Sequence, residues 1–143
     1  MIDIETRYIE FSTQGKTDIV DITPKIQAEV EAAGFEEGSV LISAIGSTTA
    51  ISTVEYEPGL VNHDISDMMQ KIAPYGVPYE HNKTWGDDNG AAHLRSTLTG
   101  TSLSISFVKG ELILGTWQQI IFLDFDTRAR SRKVVVQITG LKT

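Results

Sequence analysis

Apolar and polar side chains alternate along both ends of the chain, which is the pattern of strands that bury one face. Residues 5–12 predict an opening strand, and the second half of the chain carries a series of similar segments. These segments lie at 102–108, 111–117, 119–125 and 133–139. Short turns separate them, the tightest at Lys109-Gly110, so we expect hairpins and not helical crossovers between these strands.

The middle of the chain has the apolar spacing of amphipathic helices. Pro24 stands where a first helix begins and Gly34 where it ends. A second helix is predicted over residues 60–73, and the segments SVLISAI and ISTVEYE between the two helices predict further strands. This order predicts a single α+β domain over residues 1–143, a mostly antiparallel sheet or β-sandwich with two to three helices.

Composition removes several classes of protein. The 143 residues include no cysteine, which excludes disulfides, thiolate zinc sites and cysteine nucleophiles. A net charge of −7 argues against nucleic-acid binding, and no apolar run approaches the length that crosses a bilayer. The acidic start MIDIETRYIEF does not resemble a signal peptide, so we expect a cytoplasmic protein. Motifs for dinucleotides, phosphate loops, serine hydrolases and zinc proteases are also missing.

Chemistry-bearing side chains concentrate in YEHNKTWGDDNGAAHLR, residues 79–95. We expect His81 to lie in a loop and His93 in the first turn of a helix that Asp88 or Asn89 caps. The backbone N–H groups at the start of that helix favour an anion. A polar cluster of this density in a loop is typical of a functional site.

Two histidines in one segment are compatible with more than one chemistry. As neutral imidazoles, His81 and His93 can bind one metal ion that Glu55 or an aspartate such as Asp88 completes. A histidine can instead act as a general acid or base, because its ordinary pKa lies near neutral pH. In a purely structural interpretation, one histidine caps a turn and the other forms a hydrogen bond within its helix.

Two further groups of charged residues have both functional and structural interpretations. Glu55 and Glu57 share one face of a strand-like segment, where they either hold a divalent cation or only face solvent. Arg128 and Arg130 belong to a basic cluster that forms either an anion clamp or a protected strand edge. Asp124 and Asp126 share a face in the same way as the two glutamates, and the structural interpretation of Asp126 is half of a surface ion pair with the adjacent Arg128.

The run Gly-Thr-Trp-Gln ends at Gln118 and stands between two apolar segments. Trp117 is expected in the core or in a subunit interface, because tryptophan buries a large area. Gln118 points to the opposite face of the strand predicted here. His63, in the second helix, has no sequence partner and is expected at the surface.

Five segments, in this order, resemble the YjbQ-like family, also described as secondary thiamine-phosphate synthase enzymes. They are GSTTAISTVEYEPGL at 46–60, YEHN at 79–82, NGAAHLRSTLTGTSL at 89–103, KGELILGTWQQI at 109–120 and DFDTRARSRKVVV at 124–136. The chain departs from the family at Ser47, where many members carry a histidine. If that histidine is a metal ligand in the family, a carboxylate such as Glu55 replaces it here or the chain binds no metal.

The resemblance implies an α+β fold with a β-sandwich core, assembly as a homotrimer, and a pocket around two histidines near subunit boundaries. It also implies a weak thiamine phosphate synthase activity, which joins a pyrimidine pyrophosphate to a thiazole phosphate and expels pyrophosphate. The expected partner is therefore a small phosphorylated metabolite. Such a reaction requires a magnesium ion or a basic clamp for the leaving group, and an aromatic surface for the pyrimidine.

The site residues that this interpretation names fall into three groups. The candidate catalytic residues are His81, His93 and Glu55. The candidate ligand-binding residues are Thr48, Asn82, Trp85, Asp88, Asn89, Gln118, Arg128 and Arg130. His81 and His93 are also candidate ligands of a divalent metal, zinc or magnesium. The alternative to an enzyme is a non-catalytic trimeric module that binds a phosphorylated metabolite or a metal ion, and a purely structural role leaves the histidine-rich segment unexplained.

Overall fold

The structure, a computed structural model, describes residues 1–142. The strands are β1 Ile2–Thr13, β2 Asp18–Asp21, β3 Phe35–Ala44, β4 Thr49–Val54, β5 Ser102–Val108, β6 Glu111–Leu112, β7 Gln119–Asp124 and β8 Arg130–Lys142. The helices are α1 Thr23–Ala33, α2 Ile65–Ile72, α3 Glu80–Trp85 and α4 Gly90–Thr99, and a π-helical turn over Leu60–Asp64 leads directly into α2. No helix in this described part of the chain is both long and apolar enough to span a bilayer.

The strands form two antiparallel sheets, which confirms the α+β prediction. One has five strands in the order β1-β8-β3-β5-β6, and the other has three in the order β2-β7-β4. Among the last four strands, β5 and β6 form the expected hairpin. At its turn, both Lys109 and Gly110 have positive φ, at 53° and 73°, which matches the right-handed twist of the strands. The expectation of hairpins is wrong for β7 and β8, because they lie in different sheets.

A continuous apolar core fills the space between the two sheets. Val40 of β3 and Val136 of β8 face this core from the larger sheet, and Phe122 of β7 faces it from the smaller one. The ring of Phe122 meets that of Phe11 edge-on, with centroids 4.9 Å apart. Ile26 and its neighbours on α1 pack into the same core.

Strand β7 is buried on both faces and joins the sheets to a layer of helices. Ile121 and Leu123 point away from the sheet–sheet core and pack with Met69 of α2 and Ala92 of α4. The near-continuous apolar sequence of β7 follows from this double burial. Helix α4 packs on the same sheet, because Ser96 donates to the backbone oxygen of Thr49 in β4, the pairing partner of Asp124. The end of β7 at Asp124 therefore lies close to the polar residues around α4.

Helix boundaries agree with the sequence where turn residues mark them, and differ where they do not. Pro24 opens α1, and Gly34 ends it in a left-handed conformation with φ of 74°. The expectation that His81 lies in a loop is wrong, because it lies on α3. This helix follows an extended Tyr79 and ends at Gly86, with φ of 68°, and its six residues include no apolar repeat.

The strand predicted over 111–117 is much shorter in the structure. Strand β6 ends at Leu112, and residues 113–118 form an irregular loop. Trp117 in this loop is 71% exposed, so it does not lie in the core of one chain, and its place in a subunit interface stays a prediction. His63, as expected, is at the surface.

Candidate functional site

The two histidines of segment 79–95 come together between α3 and α4. The rings of His81 and His93 have centroids 4.4 Å apart and planes inclined by 59°. Both rings border a shallow pocket of about 260 Å³, which is lined by Tyr79, Glu80, His81, Gly90, His93 and Leu94. The arrangement brings two titratable rings into direct contact at the edge of an open pocket, which is suited to proton transfer.

The close approach of α3 to α4 depends on Gly90. A Cβ atom at this position would lie 2.7 Å from Cβ of Tyr79, closer than such atoms approach in proteins. The backbone N–H of Gly90 donates to Oδ1 of Asn82 at 3.0 Å. This first amide of α4 is therefore engaged with the protein and is not directed at a bound anion.

Asn89 precedes α4 at the capping position, but its side chain forms no capping bond to the helix. It is 6% exposed and lies between the histidine pair and the interior. Its Oδ1 is 3.0 Å from Nε2 of His81, and its Nδ2 donates to Oδ1 of Asp126 at 3.4 Å. Both ends of this amide are thus occupied by protein groups.

Beneath Asn89, two aspartates at the end of β7 form a buried ionic network. Asp124 is 0% exposed, and Nε and Nη2 of Arg132 donate to it at 2.6 and 3.0 Å. Asp126 is 3% exposed and pairs with Nη2 of Arg130 at 3.1 Å. The interpretation of Asp126 as half of a surface ion pair is therefore wrong, since its arginine partners come from β8 and its own carboxylate is buried.

The pKa of Asp126 lies below its ordinary value. Burial by itself raises this pKa, but the hydrogen bonds from the backbone of Thr127 and from Asn89, together with Arg130, outweigh burial. Asp126 is consequently a carboxylate at neutral pH and accepts hydrogen bonds without donating any. Thr48 belongs to the same network, because its Oγ1 accepts from Nη2 of Arg132 at 3.1 Å.

The structure brings three more of the sequence candidates to this end of β7. Asp88 Oδ1 accepts the hydroxyl of Thr127 at 2.7 Å. Asn82 holds the start of α4 through Gly90. Trp85 lies one turn after His81 on α3, so it shares a helix face with that histidine, and it is 81% exposed.

Glu55 and Gln118 lie at the opposite end of the smaller sheet. Strands β4 and β7 pair from Thr49 with Asp124 to Val54 with Gln119, and Glu55 follows Val54. Six strand residues span about 20 Å, so Glu55 is not brought to the histidine pair within one chain. Gln118 donates to Thr53 at 3.2 Å in the same distant region.

The basic cluster is divided between the interior and the surface. Arg130 and Arg132 direct their guanidinium groups at Asp124 and Asp126, not at the pocket of the histidine pair. Arg128 is exposed, and its side chain forms no hydrogen bond or ion pair with the described residues 1–142. Within one chain the cluster therefore supplies one uncommitted cation, at Arg128.

A buried arginine that sequence reasoning did not select holds α4 in place. Arg95 is 1% exposed, donates to the backbone oxygen of Ala73 at 2.9 Å and to Oγ1 of Thr17 at 2.8 Å, and stacks on Tyr75 at 3.9 Å. Burial lowers the pKa of this guanidinium. The sequence around Arg95 gives no sign that this side chain is buried, because an arginine on a helix usually points to solvent.

The side chains of one chain do not complete a metal centre. The histidine pair offers two imidazoles, whereas protein zinc sites use three or four protein ligands. Among residues 1–142, no three histidine, aspartate or glutamate side chains are grouped to hold an ion. Ser47 is exposed and supplies no imidazole.

Comparison with known proteins agrees with the arrangement of these elements. The sequence profile described as "UPF0047 protein YjbQ-like" matches residues 7–141, nearly the whole chain. The chain belongs to this family. It is 40% identical over 129 residues to a UPF0047 protein of Archaeoglobus fulgidus, a match that covers 90% of this chain and 97% of that protein.

Solved structures of the YjbQ-like family have the same fold. A YbjQ-like protein of unknown function from Sulfolobus solfataricus P2 is 32% identical, with a TM-score of 0.91 and coverage of 98% of this chain and 99% of that chain. A hypothetical protein from Aeropyrum pernix K1, also 32% identical, has a TM-score of 0.88 over 95% of this chain and 98% of its own. The family thus fixes the fold and leaves the reaction open.

Proposed function

We propose that this YjbQ-like protein is an enzyme in which His81 and His93 act as an acid–base pair on a small substrate. The observation that carries the proposal is the contact of the two rings, 4.4 Å between centroids, beside an open pocket. One ring can accept a proton while the other donates one, and acid–base catalysis of this kind contributes roughly 10²–10⁴-fold in rate.

The finer proposal is thiamine-phosphate-synthase-type transfer between a pyrimidine pyrophosphate and a thiazole phosphate. In this reaction the departing pyrophosphate gains negative charge, and a protonated histidine stabilises it by donating a hydrogen bond. Trp85, one turn from His81 and 81% exposed, offers the aromatic surface for the pyrimidine. The exposed Arg128 supplies the uncommitted positive charge for a phosphate.

A binding module is the second candidate, and one observation favours it. Arg130 and Arg132 are paired with buried carboxylates and do not face the pocket. Expulsion of pyrophosphate requires strong charge stabilisation, which these pairs do not provide. A protein of this kind holds a phosphorylated metabolite, or a metal ion with an added ligand from a second copy, without turning it over.

We also propose that the chain assembles as a homotrimer. The support is the outer face of the five-stranded sheet, which no helix of residues 1–142 covers. Exposed apolar residues lie on it: Ile2, Ile4, Tyr8, Leu41, Val108 and Leu141. Exposed apolar side chains on an uncovered sheet face supply area for a subunit interface. Leu41→Glu is expected to yield monomers in sedimentation experiments, and an unchanged trimer would assign the contact to another surface.

The experiment that tests the enzymatic proposal compares His93→Ala with His63→Ala. His63 is an exposed histidine in the π-helical turn before α2, so it controls for loss of an imidazole. We expect the rate of coupling of the pyrimidine pyrophosphate to the thiazole phosphate to fall at least about 100-fold in His93→Ala. His63→Ala is expected to retain the wild-type rate.

Retained activity in a folded His93→Ala variant would refute the acid–base proposal. A wild-type protein that both substrates stabilise thermally, with no product formed, would instead establish the binding module. A module that binds a metal ion is distinguished from one that binds a metabolite by the metal content of the purified protein. We would measure it for wild type and for the double variant His81→Ala/His93→Ala. Stoichiometric metal that the double variant loses would make the histidines ligands.

A further inference from the structure

We propose that Asp126 and Asn89 are positioning residues that fix the tautomer of His81, so that Nδ1 is its reactive nitrogen. Three groups form the chain that carries this inference: the Asp126 carboxylate, the Asn89 amide and the His81 ring. Nδ2 of Asn89 is 3.4 Å from Oδ1 of Asp126, and Oδ1 of Asn89 is 3.0 Å from Nε2 of His81. The inference rests on the proposed role of His81 as an acid–base group.

The carboxylate sets the direction of the amide. Asp126 is 3% exposed and accepts from the backbone N–H of Thr127 at 2.8 Å and from Arg130 at 3.2 Å. It has no proton to donate, because these bonds and Arg130 favour its charged form. If the amide of Asn89 were turned over, its oxygen would face the oxygen of Asp126, and two buried acceptors would oppose each other. Asn89 must therefore present its NH₂ group to Asp126.

The direction of the amide sets the tautomer of the histidine. With its NH₂ group held by Asp126, Asn89 presents only an acceptor oxygen to His81. Nε2 of His81 must carry a hydrogen to make this bond. In the neutral ring, Nδ1 is then the nitrogen with a free lone pair. No described residue among 1–142 is hydrogen-bonded to Nδ1.

Active sites commonly orient an imidazole by a hydrogen bond to its non-reactive nitrogen, and this arrangement does the same. Here the orienting group is the neutral amide of Asn89, and the carboxylate of Asp126 acts on His81 only through that amide. Because the amide adds no charge next to His81, it fixes the ring without pairing it with an anion. Acid–base chemistry at this site is therefore assigned to Nδ1 of His81, and a substrate proton must approach that atom.

The test is NMR spectroscopy of the substrate-free protein labelled with ¹⁵N in its histidine rings. An exposed ring N–H exchanges with water too fast to give a proton signal, whereas a hydrogen-bonded one is observed. We expect one protected ring N–H, on Nε2 of His81, and an unprotonated Nδ1. The variants His63→Gln and His93→Gln assign the signals of the three histidines.

Two variants and one control probe the chain of contacts. Asn89→Ala removes the acceptor, so the protected Nε2–H signal is expected to disappear. Asp126→Asn lets Asn89 turn over, so a second form with hydrogen on Nδ1 is expected to appear. Asp88→Asn, the control, removes a nearby exposed carboxylate that bonds Thr127 and should leave the His81 signals unchanged.

Hydrogen on Nδ1 in the wild-type protein would overturn the proposal, and so would a protected Nε2–H that persists in folded Asn89→Ala. Asn89→Ala leaves the pairs of Asp124 and Asp126 with the arginines intact, so it provides the test even if Asp126→Asn does not fold. The measurement uses no substrate. A protein with the expected tautomer and no turnover would therefore retain this inference while refuting the enzymatic proposal.

Discussion

Both ends of the three-stranded sheet carry polar residues, but they organise them differently. At the Asp124 end, carboxylates with 0% and 3% exposure are bonded to arginines, threonines and Asn89. At the Gln119 end, Glu55 is exposed, and the exposed Gln118 forms hydrogen bonds with Thr53 and Gly115. The first end thus holds two buried carboxylates against their arginine partners, whereas the candidates Glu55 and Gln118 at the second end are exposed.

This difference indicates which end is prepared for chemistry. A site functions when its groups are held in place before the substrate arrives, and supporting hydrogen bonds from buried residues provide that rigidity. His81 and His93 stand above such a support, whereas Glu55 and Trp117 do not. Sequence motifs alone rank both ends alike, because they record residue types and not burial.

Substitution of Arg132 should give the largest difference in unfolding free energy between variants at the two ends. Its side chain is 12% exposed and neutralises the fully buried Asp124. Arg132→Met leaves that carboxylate without its charged partner, so we expect a loss of about 3–5 kcal/mol of unfolding free energy. Gln118→Ala at the other end should change it by less than about 0.5 kcal/mol. Urea denaturation measures both values, and equal effects would remove the contrast.

A methyl group added at Gly90 should have the next largest effect. Its Cβ would contact Tyr79 at 2.7 Å, so α3 must move away from α4. We expect Gly90→Ala to lower the unfolding free energy by about 1–3 kcal/mol and to separate the histidine rings. Gly115→Ala is the matched control, because its Cβ meets only the side chain of Gln118, at 3.7 Å. A Gly90→Ala protein as stable as this control would refute the tight contact between the helices.

Acidification should weaken the Asp124 end selectively. The pKa of Asp126 is depressed in the folded protein, since its hydrogen bonds and Arg130 outweigh burial. Its stabilising contribution is therefore present above the ordinary aspartate pKa of about 3.9 and is lost as the pH falls through the lower folded pKa. Asp126→Asn should lose less stability than wild type between about pH 5 and about pH 2. Parallel pH profiles from urea denaturation would contradict this assignment.

Elements marked by local chemistry could be predicted from the sequence. Pro24 and Gly34 delimit α1 because one fixes the backbone angle of a first turn and the other adopts a left-handed one. Helix α3 has neither a proline at its start nor an apolar repeat, so its sequence, five polar residues and Trp85, favours a loop. The hairpin at Lys109 and Gly110 is predictable for a similar reason, because a glycine in a two-residue turn favours the positive φ that the turn requires.

The site was predictable only in part, because its support is made of distant residues. His81 and His93 lie in one segment, so their proximity follows from the sequence. The partners of Asp124 are Arg132 and Thr13, the latter 111 positions away in the chain. Proximity in the sequence instead favours Arg128 as the ion-pair partner of Asp126. Burial of these carboxylates depends on how the paired strands β1 and β8 pack against the end of β7 in the other sheet, which no local sequence pattern reports.

The two tryptophans provide the most direct test of the central claim that substrate binds at the Asp124 end. Trp85 belongs to α3 beside His81, and Trp117 to the loop at the other end, with exposures of 81% and 71%. The measurement is the pair of indole N–H signals in ¹H–¹⁵N spectra while the pyrimidine pyrophosphate and then the thiazole phosphate are added. We expect the signal of Trp85 to shift and that of Trp117 to stay in place. A shift of Trp117 alone, or of neither signal, would contradict the account.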